Sequence, residues 1–234
     1  MNSKALFLFD IDGTLISSGT APRTLFTEIV NELTGIEVSL EIRHVAGLTD
    51  PKILEDMLSR AGIPENRIGS VADEFFPIYY ERLKERFEDS VDKKVFEEVP
   101  GILKALHKME NVHIGLLTGN MEQSAKIKLI PFGLHGYFRI GAYASDNSDR
   151  NALPPIAVSR AEEMWRQKFD QNEVFVVGDT IHDMRCAVHN NYMAIGVARK
   201  NGEEERKKLK SAGASWIFEK IPEAEELMLI ANLN

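Results

Sequence analysis

The sequence predicts an α/β protein in which a parallel sheet carries an inserted block of helices. Beyond about residue 100, apolar strand-like segments alternate with helical patterns, as in a sheet built from βαβ units. One further strand-like segment stands near the beginning of the chain, and only helical patterns separate it from the others. Each of the main strands also runs into a polar cluster, and ligands of such sheets bind at that end of the strands.

The first strand, Leu6 to Phe9, runs directly into Asp10-Ile11-Asp12-Gly13-Thr14. Aspartate is a poor strand former, and alternation along a strand places Asp10 and Asp12 on the same side. Two carboxylates that close repel each other unless a cation or a shared proton lies between them. The alternative is an ordinary strand end with an Asp-Gly turn, in which Asp10 only caps a neighbouring segment.

The next part of the chain, residues 17–92, predicts an all-helical block. Apolar residues recur at helical spacing over about residues 22–34, 50–61 and 71–87. Pro and Asp-Pro mark two of the helix starts, and glycines end those two helices. We therefore expect a core formed by residues 1–16 and 93–234, with residues 17–92 inserted as a cap that covers the site.

Four or five further strands are expected after the insertion, and together with the first they form a Rossmann-like parallel sheet. Polar clusters follow three of them: Thr118-Gly119-Asn120, the segment from Ser145 to Arg150, and Gly178-Asp179-Thr180 with Asp183 close behind. The predicted strands are Val112–Leu117, Tyr137–Tyr143, Val174–Val177, Met193–Val197 and a short one at Ser215–Phe218.

The aspartates at these strand ends predict a metal site. Asp10, Asp12, Asp179 and Asp183 would repel one another strongly if they converged without a cation. A ligand set of oxygens, without histidine or cysteine, favours a hard ion, and we expect Mg²⁺. Mg²⁺ held by one or two carboxylates keeps room for water and for a phosphate oxygen.

The remaining polar residues predict a phosphate site beside the metal. Thr118, Gly119, Asn120 and the backbone N–H groups after Asp10 are expected to hold phosphate oxygens. Arg150 is expected to offset the charge of a phosphoryl group in its transition state. The alternative for Arg150 is a solvated loop arginine.

The two aspartates of the first loop are expected to divide the catalytic work. Asp10, immediately after the strand, is the candidate nucleophile and would form an aspartyl phosphate. Asp12 would protonate the leaving alkoxide and then deprotonate the attacking water. A neighbouring carboxylate is expected to raise the pKa of Asp12, which suits a proton donor.

FLFDIDGTL, LLTGN and VVGDTIHDM resemble three of the motifs of the haloacid dehalogenase-like superfamily, in its phosphoglycolate-phosphatase-like branch. The resemblance covers nearly the whole chain, including the place of the inserted helices. It implies Asp10 as nucleophile and Asp12 as general acid and base. It also implies Mg²⁺ held by Asp10, the backbone carbonyl of Asp12 and Asp179, with Asp183 supporting the metal.

One motif of that superfamily is changed in this chain. The resemblance implies a lysine ahead of a proline-containing helix start, but the matching segment SDRNALPPIA contains none. Arg150 is the nearest cation there and would bind in a bidentate manner rather than as a point charge. Arg160 is a weaker candidate because Pro154-Pro155 should begin a helix that carries it away from the loop.

Within the insertion, GLTDPK at residues 47–52 predicts a substrate-facing loop. Thr49, Asp50 and Lys52 stand at a helix start, where the helix dipole favours anions, and the segment resembles the cap loop of phosphoglycolate-phosphatase-like proteins. Lys52 is the first candidate to reach a substrate tail and Arg43 the second. Asp50 is also expected to be the N-cap of its own helix, a role that is compatible with a substrate-facing loop.

Composition excludes several other classes of protein. The net charge of −8 argues against a broad nucleic-acid surface. No apolar stretch approaches the ~18 residues of a membrane span or forms a signal sequence. The single cysteine, Cys186, excludes an internal disulfide and a cysteine-rich metal site, so we expect a reducing cytoplasm.

The sequence therefore predicts a Mg²⁺-dependent phosphatase that acts on a small phosphorylated metabolite. A phosphomutase of the β-phosphoglucomutase type is the enzymatic alternative, and it differs in whether a sugar hydroxyl or water takes the phosphoryl group. A module that binds phosphate and Mg²⁺ without turnover is the alternative from another class. The substrate and the oligomeric state are left open.

Overall fold

A computed structural model describes residues 4–40, 46–199 and 202–233 of the chain. The strands of these residues are β1 (Ala5–Phe9), β2 (Ile16–Ser17), β3 (Lys94–Val95), β4 (Val112–Leu117), β5 (Gly141–Ala142), β6 (Val174–Gly178), β7 (Met193–Val197) and β8 (Trp216–Phe218). The helices are α1 (Ala21–Thr34), α2 (Asp50–Arg60), α3 (Glu65–Asp89), α4 (Val99–Leu106), α5 (Glu122–Leu129), α6 (Leu153–Trp165), α7 (Ile181–His189), α8 (Gly202–Ser211) and α9 (Ala224–Ile230). None of these helices is both long enough and apolar enough to span a membrane.

Six strands form one parallel sheet in the order β5-β4-β1-β6-β7-β8, which confirms the predicted α/β fold. β1 lies in the middle, and its Phe7 is paired with Ile114 on one side and with Phe175 on the other. All five residues of β1 are fully buried, as expected of a parallel strand that is covered on both faces. The carboxyl ends of β4, β1 and β6 consequently lie side by side.

The predicted strands at the centre of the sheet agree with the structure within about one residue, but the strand predicted over Tyr137–Tyr143 is too long. Only Gly141–Ala142 is a strand there, paired with the end of β4. The segment His135–Tyr137 forms a 3₁₀ turn, because local hydrogen bonds close the backbone before it can extend. The residues after this turn, Phe138 and Ile140, are buried in the core although they are not part of a strand.

Helices α1, α2 and α3 lie between β2 and β3, and we call this part of the chain, with the segments that join the helices, the helical insertion. β2 and β3 form a small antiparallel pair, Ile16 with Val95 and Ser17 with Lys94, through which the chain leaves the core and returns. This pair was not predicted, because two residues are too few for a periodic pattern. The pair lies close to the expected boundaries, and the division into a core and a cap stays a prediction.

The helical insertion has its own aromatic packing. Phe26 of α1 lies 4.8 Å from Phe75 and 4.7 Å from Tyr79 of α3, measured between ring centres. α3 runs from Glu65 to Asp89, so it begins earlier than the predicted helix over residues 71–87. The aromatic side chains of α3 are therefore part of the packing between helices, as their spacing along the helix indicates.

Candidate active site

Asp10 lies at the carboxyl end of β1, in the middle of the sheet. Its backbone amide donates to the carbonyl of Val177 on β6 at 2.9 Å. Its buried carboxylate accepts a hydrogen bond from Nη2 of Arg150 at 3.0 Å, and the same nitrogen donates to Asp183. Burial and the nearby carboxylate of Asp183 raise the pKa of Asp10 to about 7, although Arg150 opposes the shift. Asp10 is thus a buried carboxyl group with a cation beside it.

Asp10, Asp179 and Asp183 form a cluster in which one oxygen of each lies within 4.8 Å of the others. Burial and the charge of Asp10 raise the pKa of Asp179 well above its usual value. The other oxygen of Asp183 accepts hydrogen bonds from the amide of Thr180 at 3.0 Å and from its hydroxyl at 2.7 Å. Two of these carboxylates are buried and that of Asp179 is half-buried, so they repel one another strongly unless a cation relieves the repulsion, and an oxygen-only set fits a hard divalent ion. These residues therefore fit a divalent metal site.

The loop after Asp10 packs tightly against this cluster. Gly13 has φ of +88°, and a Cβ atom at this position would lie 2.1 Å from Oδ2 of Asp179. Only glycine both adopts this backbone conformation and leaves room for the carboxylate. The amides of Gly13, Thr14 and Leu15 donate to carbonyl groups of the loop itself, so these three do not serve as the predicted phosphate donors.

The side chain of Asp12 lies outside the carboxylate cluster and has separate partners. One oxygen accepts from the hydroxyl of Ser18, and the other accepts from Nδ2 of Asn120 at 2.8 Å and from Nζ of Lys128 at 2.7 Å. Burial raises the pKa of Asp12, but Lys128 and these hydrogen bonds outweigh it and hold the pKa below its usual value. The prediction of a raised pKa is wrong, because the decisive neighbour is a cation and not the second carboxylate. Metal binding by the backbone carbonyl of Asp12 stays a prediction.

The second polar cluster lies at the end of β4, next to Asp10. The buried hydroxyl of Thr118 accepts hydrogen bonds from the backbone amide of Asn120 at 3.2 Å and from its side-chain amide at 2.8 Å. The carbonyl of Gly119 accepts from the amide of Asp50 at 2.7 Å. A Cβ atom on Gly119 would lie 2.4 Å from the carbonyl oxygen of Leu48, so this glycine permits the helical insertion to approach closely.

The segment Gly47–Asp50 of the helical insertion lies across the ends of the strands. The hydroxyl of Thr49 donates to the carbonyl of Ser148 at 2.9 Å, and Nη1 of Arg150 donates to the carbonyl of Gly47 at 3.1 Å. The buried carboxylate of Asp50 accepts from the amide of Met121 at 2.8 Å, at the start of α5. Asp50 therefore accepts a hydrogen bond from the start of a core helix, and the expectation that it is the N-cap of its own helix is wrong, because Thr49 holds that position.

Lys52 does not lie in the site, which corrects the expectation that it faces the substrate. Its ammonium pairs with Glu55 and with Asp56, both at 3.1 Å, and the side chain is 44% exposed. Helical geometry explains the placement, because two residues along a helix correspond to about 200° of rotation. Since Asp50 points into the core, Lys52 must point away from it. Arg43, the second candidate, lies outside the described residues.

Residues 7–197 match the family model of the haloacid dehalogenase-like hydrolases. The chain belongs to this family. It is 25% identical over 197 residues to "Probable phosphatase IndB" of Dickeya dadantii, a match that covers 83% of this chain and 81% of that protein.

Solved structures of haloacid dehalogenase-like proteins share the fold. A predicted phosphatase from Clostridium acetobutylicum has a TM-score of 0.68 and 21% identity, with 97% of each chain covered. A phosphonoacetaldehyde hydrolase-like protein from Oleispira antarctica has a TM-score of 0.73 and 18% identity, and the match covers 100% of this chain and 93% of that one. At identities of 21% and 18%, this similarity shows that the fold is shared and gives no information on the reaction.

In this haloacid dehalogenase-like hydrolase, the cation beside Asp10 is Arg150. Its side chain is 9% exposed and contacts both Asp10 and Asp183, so the alternative of a solvated loop arginine is wrong. Arg160 pairs with Asp146 at 2.7 Å and donates to the carbonyl of Gly141, which keeps it away from Asp10. The structure thus places an arginine where the family resemblance implies a lysine.

Lys128, like Ser18, is a site residue that the sequence analysis missed. It lies on α5, its side chain is 5% exposed, and its ammonium contacts Asp12 and Asn120. The available signal was its spacing, since Ser124, Ala125, Lys128 and Leu129 share the buried face of the helix. A lysine on an otherwise small or apolar helix face indicates a buried partner, because an unpaired charge there would be costly.

Proposed function

We propose that this protein is a Mg²⁺-dependent phosphatase that hydrolyses a small phosphorylated metabolite through an aspartyl phosphate on Asp10. The observation that supports it best is the separation of the two aspartates of one loop. Asp10 lies with Arg150 in the carboxylate cluster, whereas Asp12 is held apart by Lys128 and Asn120. A nucleophile and a proton-transfer group need different surroundings. Family membership and the name of the Dickeya relative agree with this function.

Asp10, Asp179 and Asp183 are the side chains that would hold Mg²⁺, with the backbone carbonyl of Asp12 as a further ligand. Three carboxylate oxygens within 4.8 Å of one another suit a small, hard cation. The ion would neutralise charge on the phosphoryl oxygens and on the carboxylates around them.

In the first step, an oxygen of Asp10 attacks phosphorus, and the bond between phosphorus and the leaving oxygen breaks. Asp12 gives its proton to that oxygen, and the negative charge of the bound phosphate favours the protonated form of Asp12 at that moment. Thr118 accepts two hydrogen bonds from Asn120, so its own hydroxyl hydrogen is left to donate to a phosphoryl oxygen. Arg150 keeps the attacking carboxylate oriented.

In the second step, Asp12 removes a proton from water, and the water oxygen attacks phosphorus. The bond between phosphorus and Asp10 breaks, which releases inorganic phosphate and restores both carboxyl groups. The same residue thus acts as acid and then as base, as reversible proton transfer permits.

We infer a small substrate because the helical insertion lies close above the strand ends. The carbonyl of Leu48 approaches Gly119 so closely that a methyl group could not be accommodated there. The net charge of −8 gives no reason to propose a nucleic-acid partner, and the one free cysteine agrees with a reducing cytoplasm. Within the part of the chain that the structure describes, no residue of the site favours the phosphomutase alternative.

Phosphate release from 4-nitrophenyl phosphate tests the proposed function. We expect hydrolysis in Mg²⁺ and its loss in excess EDTA, because Arg150 is then the one cation that contacts the described carboxylates Asp10 and Asp183, and it cannot offset the charge of a bound phosphate as well. Readdition of Mg²⁺ should restore the rate. Full activity in EDTA would contradict the metal assignment, and Mg²⁺-dependent binding of inorganic phosphate without any turnover would favour the sensing module.

Substitution of Lys52 by alanine should leave catalysis nearly unchanged. The exposed ion pairs of Lys52 contribute about 0–1 kcal/mol to the free energy of unfolding, so the fold should persist without them. Because Lys52 faces solvent, we expect kcat/KM to change by less than about 3-fold. Phosphate release from 4-nitrophenyl phosphate and from 2-phosphoglycolate measures this change in kcat/KM. Thr49→Val, at a residue of the segment Gly47–Asp50 that contacts the core, is the matched comparison. A selective loss of more than about 10-fold (1.4 kcal/mol) on the carboxylated substrate in Lys52→Ala would show that Lys52 reaches the substrate after all.

A further inference from the structure

Lys128 is a nearly buried cation in a part of the site where the sequence motifs place none. Its Nζ lies 2.7 Å from Oδ2 of Asp12 and 2.5 Å from Oδ1 of Asn120. Lys126, two positions earlier on the same helix, is exposed. The burial of Lys128 therefore reflects its position on α5 and its partners, and not a general property of that helix.

The contacts of Lys128 fix the orientation of Asp12. Ser18 donates to Oδ1 of Asp12, and Lys128 and Asn120 both donate to Oδ2. Three donors from three separate segments leave this carboxylate little freedom to rotate. Asn120 also connects the group to Thr118, because its side-chain amide donates to the Thr118 hydroxyl. The orientation of Asp12 is thereby linked to the end of β4.

The buried cations Arg150 and Lys128 contact different carboxylates of the site. Arg150 contacts Asp10 and Asp183, while Lys128 contacts Asp12. Lys128 donates to Asp12 and to Asn120, which uses two of its three N–H groups, and only 5% of its side chain is exposed for any further contact. The contacts of Lys128 are thus with the proton-transfer group and not with the nucleophile.

We propose that Lys128 is a positioning residue that holds Asp12 at the leaving-group oxygen, and that it does not bind the phosphoryl group. This inference rests on the proposed function, in which Asp12 protonates the leaving oxygen. Substitution of Lys128 should then lower kcat/KM most for the substrates whose leaving group most needs a proton. Phenyl phosphate needs that proton more than 4-nitrophenyl phosphate does, because the leaving phenolate is the stronger base.

Lys128→Met tests the proposal, with Lys126→Met on the same helix as the control. The value of kcat/KM reports the transfer to Asp10 and excludes the later hydrolysis of the aspartyl phosphate. We expect Lys128→Met to lower kcat/KM about 10²-fold on phenyl phosphate and about 10-fold or less on 4-nitrophenyl phosphate, within the range of general acid catalysis. Equal losses on both substrates would overturn the proposal, because they would indicate a role toward the phosphoryl group or the fold.

A double variant separates action through Asp12 from an independent role. Asp12→Asn should show the same dependence on the leaving group, and Lys128→Met combined with Asp12→Asn should be no slower than Asp12→Asn alone. If the fold-losses in kcat/KM of the two single variants multiply in the double variant, that result would contradict the proposal. If Lys128→Met does not fold, Lys128→Gln, which keeps a polar head group, undergoes the same comparison.

The crystal structure of the Lys128 variant gives a result that does not depend on activity. We expect the carboxylate of Asp12 to turn away from Asn120, and an unchanged orientation would overturn the positioning role. If the wild-type protein hydrolysed neither aryl phosphate with Mg²⁺, the proposed function would fail, and this measurement would still decide whether Lys128 holds Asp12.

Discussion

Asp10→Asn is expected to abolish turnover, with a loss of about 10⁴-fold or more, as found when other enzymes lose their nucleophile. An amide cannot serve as the nucleophile that forms an acyl phosphate. The substitution is nearly isosteric, and its carbonyl oxygen can still accept from Arg150, so the fold should persist. The rate of phosphate release from 4-nitrophenyl phosphate in Mg²⁺ measures the loss.

A second measurement identifies the intermediate itself. Mass spectrometry of acid-quenched reactions should find a phosphoryl group on Asp10 in the wild-type protein and none in Asp10→Asn. Asp73→Asn, at an exposed position of α3, is the matched control and should retain wild-type activity. A phosphorylated residue other than Asp10, or substantial turnover by Asp10→Asn, would show that the nucleophile is elsewhere.

Arg150→Ala is expected to damage both catalysis and folding. The guanidinium is buried and contacts Asp10, Asp183 and the carbonyl of Gly47, so its removal leaves buried carboxylates without their cation. Breaking such a buried pair costs about 3–5 kcal/mol in the free energy of unfolding. We expect kcat/KM to fall about 10²- to 10³-fold, as when other enzymes lose a donor that stabilises the transition state.

Thermal unfolding with and without Mg²⁺ separates the two effects of Arg150→Ala. A divalent cation at the carboxylate cluster should recover part of the stability, because it replaces some of the missing positive charge. Arg150→Lys should recover part of the activity, since an ammonium retains the charge but cannot reproduce the planar contacts of the guanidinium. Arg160→Ala is the control, because its pair with Asp146 is 42% exposed on the arginine side and lies away from Asp10. A greater loss in Arg160→Ala than in Arg150→Ala would contradict the assignment.

The elements nearest the strand ends could be predicted from the sequence because local patterns determine them. The apolar residues Leu6 to Phe9 predict a strand of a parallel sheet, and that prediction places Asp10 at the carboxyl end of the strand. The same reasoning places Thr118 and Asp179, since strands of one parallel sheet end on the same side. The convergence of Asp10, Asp179 and Asp183 thus follows from strand order and direction.

The residues that connect segments distant along the chain could not be predicted in this way. Lys128 meets Asp12 across 116 positions, and Asp50 meets Met121 across 71. Their local patterns describe only a buried helix face and a helix start. Which carboxylate lies opposite a buried lysine depends on how the helix packs on the sheet, and packing is a property of the whole core.

The sequence by itself therefore determined the parallel α/β architecture, the polar clusters at the strand ends and the candidate nucleophile. The tertiary structure alone decided that Lys128 holds Asp12, that Arg150 serves Asp10, and that Lys52 points to solvent. The physical reason is that periodicity and turn chemistry depend only on residues that are close together along the chain. The orientation of a charged side chain depends instead on burial and partners, which arise only when separate segments pack together.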